Sequence, residues 1–221
     1  MQVFSSIGSQ LIDLCSALLL LTCFAIVAQR RLSACVDLFA LQSAFLVLTA
    51  TLVAYLTGNQ HIYIAAALTG VIKVIIIPRV LRKVIDRLNV KRELVMYVNV
   101  PTGLLISGGL VMLAFFIAQP IIPLGSLLTR DSLAIALAIV LIGLFTMIAR
   151  HKAVTQLVGF LVMENGLFLG ATAATHGMPL IVELGVFFDV LIAALIAGIY
   201  TNRLQDAFDS VDTSHLTALK E

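Results

Sequence analysis

Long apolar runs alternate with short polar connections along the chain, and this alternation predicts its architecture. Each run has close to the ~20 residues that an α-helix needs to cross the hydrocarbon core of a bilayer. The runs lack the period-two alternation of a membrane-spanning β-strand. We therefore predict an all-α fold, a polytopic transmembrane helical bundle of about seven spans. The predicted spans are 9–28, 36–57, 61–80, 99–118, 132–149, 153–175 and 180–200.

Composition excludes a water-soluble globular domain. Of the 221 residues, 61% are hydrophobic and 12% are charged, and the mean hydropathy is +1.09. A soluble domain carries about 25% charged residues, so this chain has too little polar surface to cover itself in water. The partner that this composition predicts is the lipid bilayer. The net charge of +2 gives no reason to expect a nucleic acid partner.

Basic residues predict how the spans are oriented. Lys and Arg accumulate in the cytoplasmic connections of membrane proteins. If the N-terminus lies outside, twelve of the fourteen Lys and Arg residues fall in inside segments, Lys73 falls within a span and only Arg130 falls outside. We therefore predict an N-out, C-in topology.

The connection at 81–98 is the main internal boundary that we predict. It separates a three-span N-terminal region, 1–98, from a four-span region, 99–201, which a polar cytoplasmic tail follows at 202–221. The connection is basic and partly amphipathic. It is consistent either with a solvated loop set against anionic lipid headgroups or with a docking surface for a cytoplasmic partner.

Two carboxylates stand near the middle of predicted spans, where an ionisable group is costly. Glu164 lies in the sixth span and Asp189 in the seventh, and a short connection between antiparallel neighbours places them at similar depth. The charge of such an acid depends on its neighbours, as a proton relay requires. Either acid can equally be a structural hydrogen-bonding group between helices. Glu183 lies closer to the outer end of the seventh span and is a weaker candidate for the same path.

A lysine and a glutamine lie at similar depth in two other spans. Lys73 lies on the inner half of the third span, deeper than snorkelling to the interface explains, and Gln42 enters the second span to a similar depth. A buried Lys pairs with a carboxylate or loses its proton. Such a pair is either a coupling element for proton movement or a static ion pair that holds the bundle. Pro78 either releases backbone carbonyls or marks the end of the third span.

The chain carries none of the short motifs that indicate a catalytic or cofactor site. Cys15, Cys23 and Cys35 form no CxxC pair, and no two histidines have metal-ligand spacing. A nucleophile elbow, a phosphate loop and a haem attachment motif are also missing. We therefore predict no catalytic residue, cofactor or metal in this chain, and cysteines that pack as small apolar residues.

Four stretches of the sequence resemble one family of membrane proteins. They are RHKAVTQLVGFLVMENG at 150–166, ELGVFFDVLIAA at 183–194, VIKVIIIP at 71–78 and HLTALK at 215–220. They are similar to component E of hydrogenase 4, a membrane subunit of group 4 nickel–iron hydrogenase and formate hydrogenlyase complexes. The resemblance covers nearly the whole chain.

The last three predicted spans, 132–200, also resemble the K subunit of bacterial complex I and the C subunit of Mrp-type antiporters. The second helix of that family carries a glutamate in a GLExMxN-like pattern, and Leu161 occupies its position here. Glu164 is displaced by three residues, close to one helical turn, and so stays on much the same face. The second glutamate of the family falls on Asp189.

These resemblances imply a subunit of a complex-I-like assembly in the bacterial cytoplasmic (inner) membrane. Its implied partners are antiporter-like and quinone-site-type membrane subunits and a cytoplasmic redox arm. The nickel–iron centre and the iron–sulfur clusters would belong to those partners. The expected function is proton translocation coupled to electron transfer, by a subunit that is itself non-catalytic. A purely structural assembly subunit, a Mrp-type cation/proton antiporter component and a free-standing transporter are the alternatives.

Overall fold

The computed structural model describes five parts of the chain, and all five are built mainly from helices. They are residues 2–58, 60–87, 97–119, 130–150 and 153–175. The helices in them are α1 (Gln2–Ala28), α2 (Leu32–Thr57), α3 (Gln60–Thr69), a π-helical segment (Gly70–Ile76), α4 (Ile77–Arg87), α5 (Val100–Ala118), α6 (Arg130–Ala149) and α7 (Ala153–Thr175).

The described helices are those of a multi-pass membrane protein. Six of them are long and apolar enough to cross a bilayer, counting α3, the π segment and α4 as one continuous crossing over Ile62–Lys83. The all-α fold is therefore confirmed, and each of the first six predicted spans coincides with a helix of spanning length. The seventh predicted span, 180–200, lies outside the described residues. The N-out, C-in orientation stays a prediction.

The helix of the third crossing extends beyond the predicted span. That span ends at residue 80, whereas the helix continues to Arg87. Leu81 and Ile85 are buried along one side of α4, and this packing outweighs the backbone hydrogen bond that Pro78 cannot donate. On the exposed side, Arg82 pairs with Asp37 of α2. The first seven residues of the predicted connection, 81–87, are thus helical, in agreement with its partly amphipathic pattern.

Helix α2 has contacts to both sides of the bundle. It packs against α1, against the crossing formed by α3, the π segment and α4, and against α7. Helix α6 packs against α7, α5 and α1. Among the described helices, α5 therefore lies at an edge, and most of its apolar side chains are not covered by the other described helices. The fully buried apolar side chains of this core include Leu19, Phe39, Leu46, Ile139 and Leu161.

Glycines bring the backbones of α6 and α7 into direct contact. A Cβ atom added at Gly143 would lie 2.6 Å from the backbone nitrogen of Met163, and one at Gly166 would lie 2.9 Å from the carbonyl oxygen of Ala136. These are contacts with backbone atoms, which cannot move aside as a flexible side chain can. Small residues permit such close approach between membrane helices. The glycines therefore set the depth and rotation of α7.

An arginine at the end of α6 holds the end of α1. Arg150 is buried, and its guanidinium donates hydrogen bonds to the carbonyl oxygens of Ile26, Val27 and Gln29 at 3.0–3.2 Å. The last carbonyls of a helix lack partners within the helix, and a cation is favourable there. Burial lowers the pKa of the Arg150 guanidinium, yet Arg remains protonated in proteins. This contact aligns the ends of α1 and α6 at one end of the bundle.

We predict that Gly143→Ala destabilises the bundle. The added methyl group must push α7 away from α6, and overpacking of this kind costs about 1–3 kcal/mol. Thermal unfolding of the purified chain in detergent measures the effect. Gly108→Ala in α5 is the matched control, because a Cβ there meets no atom within 4 Å. Equal stability of the two variants would contradict the close α6–α7 contact.

We also predict that Arg150→Lys lowers thermal stability although the charge is kept. A lysine ammonium cannot reproduce the planar fork of donors that reaches several carbonyls. Lost hydrogen bonds from a charged group cost about 1.5–3 kcal/mol. The same unfolding assay compares it with Arg31→Lys, at an exposed position. A loss in Arg31→Lys as large as in Arg150→Lys would show that the carbonyl contacts are unimportant.

Candidate functional site

A buried ion pair joins the third crossing to α7. The Nζ atom of Lys73 lies 3.2 Å from Oε1 of Glu164. The Lys73 side chain is 0% exposed and that of Glu164 is 7% exposed. Since Lys73 and Glu164 belong to different spans, the opposite charges are brought together only by packing. At this depth each charge makes the burial of the other tolerable.

Lys73 lies in the middle of the π-helical segment. In this segment the backbone hydrogen bonds skip one residue more than in an α-helix, as in the bond from Ile77 N–H to the carbonyl oxygen of Ile72. The wider turn changes the direction in which its side chains leave the helix. Both Ile72 and Lys73 are buried here. Short π-helical insertions frequently occur at functional sites.

The amide of Asn165 holds the other side of the Lys73 ammonium. Nζ of Lys73 donates to Oδ1 of Asn165 at 3.1 Å. The Nδ2 group of Asn165 in turn donates to Oε1 of Gln42 at 3.1 Å and to Oγ of Ser43 at 3.3 Å. Asn165, Gln42 and Ser43 are all 0% exposed. The ammonium is thus held by a carboxylate and a neutral amide from adjacent positions on α7.

Gln42 extends the hydrogen bonds to α1. Its Nε2 group donates to the carbonyl oxygen of Leu19 at 3.3 Å and contacts Sγ of Cys23 at 2.9 Å. The chain of donors therefore runs in one direction, from Lys73 through Asn165 and Gln42 to α1. We call this set the Lys73 network; its members are Lys73, Glu164, Asn165, Gln42, Ser43 and Cys23.

The Lys73 network separates groups that can change charge from groups that hold them. Lys73 and Glu164 carry ionisable side chains, whereas the amides of Asn165 and Gln42 only donate and accept hydrogen bonds. The site therefore combines an ion pair with neutral hydrogen-bonding groups that keep one charge state. The part of the chain that the structure describes contains no group of three or more His, Cys, Asp or Glu side chains that could hold a metal ion.

Three of the five residues predicted from the sequence meet in this site. Lys73 and Glu164 form the ion pair, and Gln42 reaches them through Asn165. Asp189 and Glu183 lie outside the described residues. A role of these five residues in a proton path stays a prediction.

Sequence reasoning missed Asn165, which is central to the observed network. Its signal was a neutral amide directly after Glu164 inside an apolar span. Only the ionisable residues within spans and one neutral amide, Gln42, were considered as candidates, so Asn165 was passed over. Ser43, directly after Gln42, was missed for the same reason.

The fold and the site define an all-α, multi-pass membrane protein with a buried ion pair held by interhelical hydrogen bonds. Over 215 residues the chain is 36% identical to the uncharacterised protein Rv0085 of Mycobacterium tuberculosis, which covers 96% of this chain and 97% of that protein. It is also 24% identical over 216 residues to hydrogenase-4 component E of Escherichia coli strain K12, covering 96% and 99% of the two chains.

The chain belongs to the same family as Rv0085, and hydrogenase-4 component E is a more distant homologue over nearly its full length. Hydrogenase-4 component E of Shigella flexneri matches at the same identity and over the same length. No protein-family model matches the chain, and no solved structure matches it.

We predict that Glu164→Gln destabilises the isolated chain and that replacing both partners is far less harmful. Glu164→Gln leaves the Lys73 ammonium buried without its counter-charge, and breaking a buried pair in this way costs about 3–5 kcal/mol. The double variant Lys73→Met/Glu164→Gln removes both charges together. Thermal unfolding of the single and double variants measures the difference. A double variant as unstable as the sum of the two single variants would show that Lys73 and Glu164 are not coupled.

Proposed function

We propose that this protein is a membrane subunit of a redox-driven, hydrogenase-type assembly related to complex I. Within it, we propose, the Lys73–Glu164 pair takes part in proton translocation coupled to electron transfer. The buried ion pair at 3.2 Å is the observation that carries this function. The similarity to hydrogenase-4 component E over nearly the full length of both chains supports the class of complex.

The strength of the pair suits a coupling element. Two unit charges ~4 Å apart interact by ~4 kcal/mol at an effective dielectric constant of ~20. Since ~1.4 kcal/mol corresponds to a tenfold change in an equilibrium constant, this is about a thousandfold in the proton occupancy of a carboxylate. An interaction of this size is large enough for a change in the electrostatic surroundings of the pair to load or unload a proton on Glu164.

The remaining parts of the system belong to other subunits in this proposal. Antiporter-like and quinone-site-type membrane subunits and a cytoplasmic redox arm would surround the chain in a bacterial inner membrane. The nickel–iron centre and iron–sulfur clusters would be held by those partners. Asp189 and Glu183, with Gln42, are the proposed continuation of the path beyond the ion pair.

A purely structural role is the second candidate, and the same network favours it. Its hydrogen bonds and ion pair connect α1, α2, the π segment and α7. Buried polar contacts of this kind hold membrane helices together. In that case a neutral substitute for Glu164 lowers the amount of assembled complex and leaves the proton movement of each assembled complex unchanged.

Glu164→Gln tests the proposed function in membrane vesicles from the producing bacterium. Although this variant destabilises the isolated chain, binding to the partner subunits stabilises the folded subunit, so we expect assembled complex with hydrogen-dependent electron transfer to an artificial dye. We also expect at least a tenfold loss of electron-coupled proton movement, since the carboxylate that pairs with Lys73 is replaced by a neutral amide. Proton uptake is followed with a fluorescent pH-gradient dye, and complex yield is read from native gels.

Asp37→Asn is the matched control, because it also removes the acid from an ion pair but on an exposed surface. Normal coupling in both variants would overturn the proton role of Glu164. Loss of assembled complex in Glu164→Gln, with normal coupling in the complex that remains, would establish the structural role. Failure of nickel–iron and iron–sulfur proteins to co-purify with the unaltered chain would contradict the class of complex.

A further inference from the structure

Asn165 contacts the ammonium of Lys73 and takes no part in the ion pair itself. We propose that Asn165, braced by Gln42 and Ser43, is a positioning residue that keeps the Lys73 ammonium beside Glu164 while the charge of that carboxylate changes. This inference rests on the proposed function of the ion pair. It assigns a distinct task to a neutral residue of the same site.

The direction of the hydrogen bonds determines which atom Asn165 presents to Lys73. An ammonium only donates, and the Leu19 carbonyl at the far end of the network only accepts. Gln42 must therefore turn Nε2 toward Leu19 and Oε1 toward Asn165, and Asn165 must turn Oδ1 toward Lys73. If the oxygen and nitrogen of either side-chain amide exchanged places, two donors would face each other on one side of that amide and two acceptors on the other. The acceptor for Lys73 is thus held in place from both ends.

The backbone beneath Asn165 is also held. Gly166, the next residue, lies so close to α6 that a Cβ atom there would be 2.8 Å from the backbone nitrogen of Val140. Asn165 itself is 0% exposed and donates to two side chains of α2. The side-chain oxygen Oδ1 of Asn165 is therefore held at a fixed position inside the bundle, by the contact with α6 on one side and by the hydrogen bonds to α2 on the other.

A rigid neutral acceptor can retain the Lys73 ammonium when Glu164 is protonated, which the carboxylate itself cannot do. When Glu164 takes up a proton, its attraction for the ammonium falls, and the lysine stem has four flexible carbons that allow it to move away. The Asn165 amide does not titrate, so its hydrogen bond of 3.1 Å persists in both states. Lys73 then remains within reach of Glu164, and the pair forms again as soon as the proton leaves.

The nitrogen signal of Lys73 provides a direct test in the full-length chain. The sequence has only five lysines, so a chain labelled with [15N]lysine and purified in detergent micelles gives few side-chain nitrogen signals in NMR spectra. The Lys73 signal is the one that Lys73→Met removes. We expect Asn165→Leu to shift this signal by more than its linewidth. Ser43→Ala, a milder variant that weakens the brace, should produce a smaller shift in the same direction.

Thr172→Val is the control, because Thr172 is also buried on α7 but donates only to the carbonyl oxygen of Phe168 in its own helix. It should leave the Lys73 signal unchanged. An unchanged Lys73 signal in Asn165→Leu would overturn the positioning role, as would an equal shift in Thr172→Val. If Asn165→Leu does not fold, an unchanged signal in Ser43→Ala overturns it. The signal is read without electron transfer, so this result is independent of whether Glu164 moves protons.

Discussion

The ammonium of Lys73 is a charge inside a helical membrane bundle, and the rest of the site is arranged around it. A lone charge at this depth is costly, so the side chain needs a counter-charge and hydrogen-bond acceptors. Glu164 supplies the first and Asn165 the second. Because both stand on α7, that helix must lie at one depth and in one rotation relative to the third crossing. The need to pair and hydrogen-bond one buried cation thus constrains how two spans pack against each other.

Contacts outside the Lys73 network fix the depth and rotation of α7. The glycines of α6 and α7 allow backbone to meet backbone, which leaves α7 little freedom to slide or rotate. At one end of the bundle, Arg150 holds α6 against the last carbonyls of α1, the helix that receives the far end of the hydrogen-bond network. The π-helical turn then directs Lys73 toward α7. Each contact stabilises the fold, and together they determine the geometry of the ion pair.

The combination of a titratable pair with a neutral amide brace has a functional consequence. A carboxylate that binds and releases protons is a variable partner for a cation, whereas an amide is a constant one. A site that contained only Lys73 and Glu164 would lose its geometry each time the acid became neutral. In the proposed function, the hydrogen bond from Lys73 to Asn165 retains the cation whatever the charge of the acid, as repeated cycles of proton uptake and release would require.

Much of the fold was predictable from the sequence because the bilayer restricts which secondary structures can cross it. Apolar runs of spanning length must be helices there, since every backbone group has to be satisfied within the segment. Six of the predicted spans are found for this reason. The helix continues beyond Pro78 and beyond the predicted third span because Leu81 and Ile85 are buried along one side of it. Propensity at one residue is a weaker determinant than packing along the next two turns.

Sequence by itself determined that Lys73, Gln42 and Glu164 lie within spans and need partners, since charge and polarity in an apolar run are visible residue by residue. Only the tertiary structure decided which partner each one has. Lys73 and Asn165 are 92 positions apart in the sequence, and no local pattern encodes that distance. Their meeting depends on helix rotation and depth, which the glycine contacts and the π-helical turn set through packing between spans.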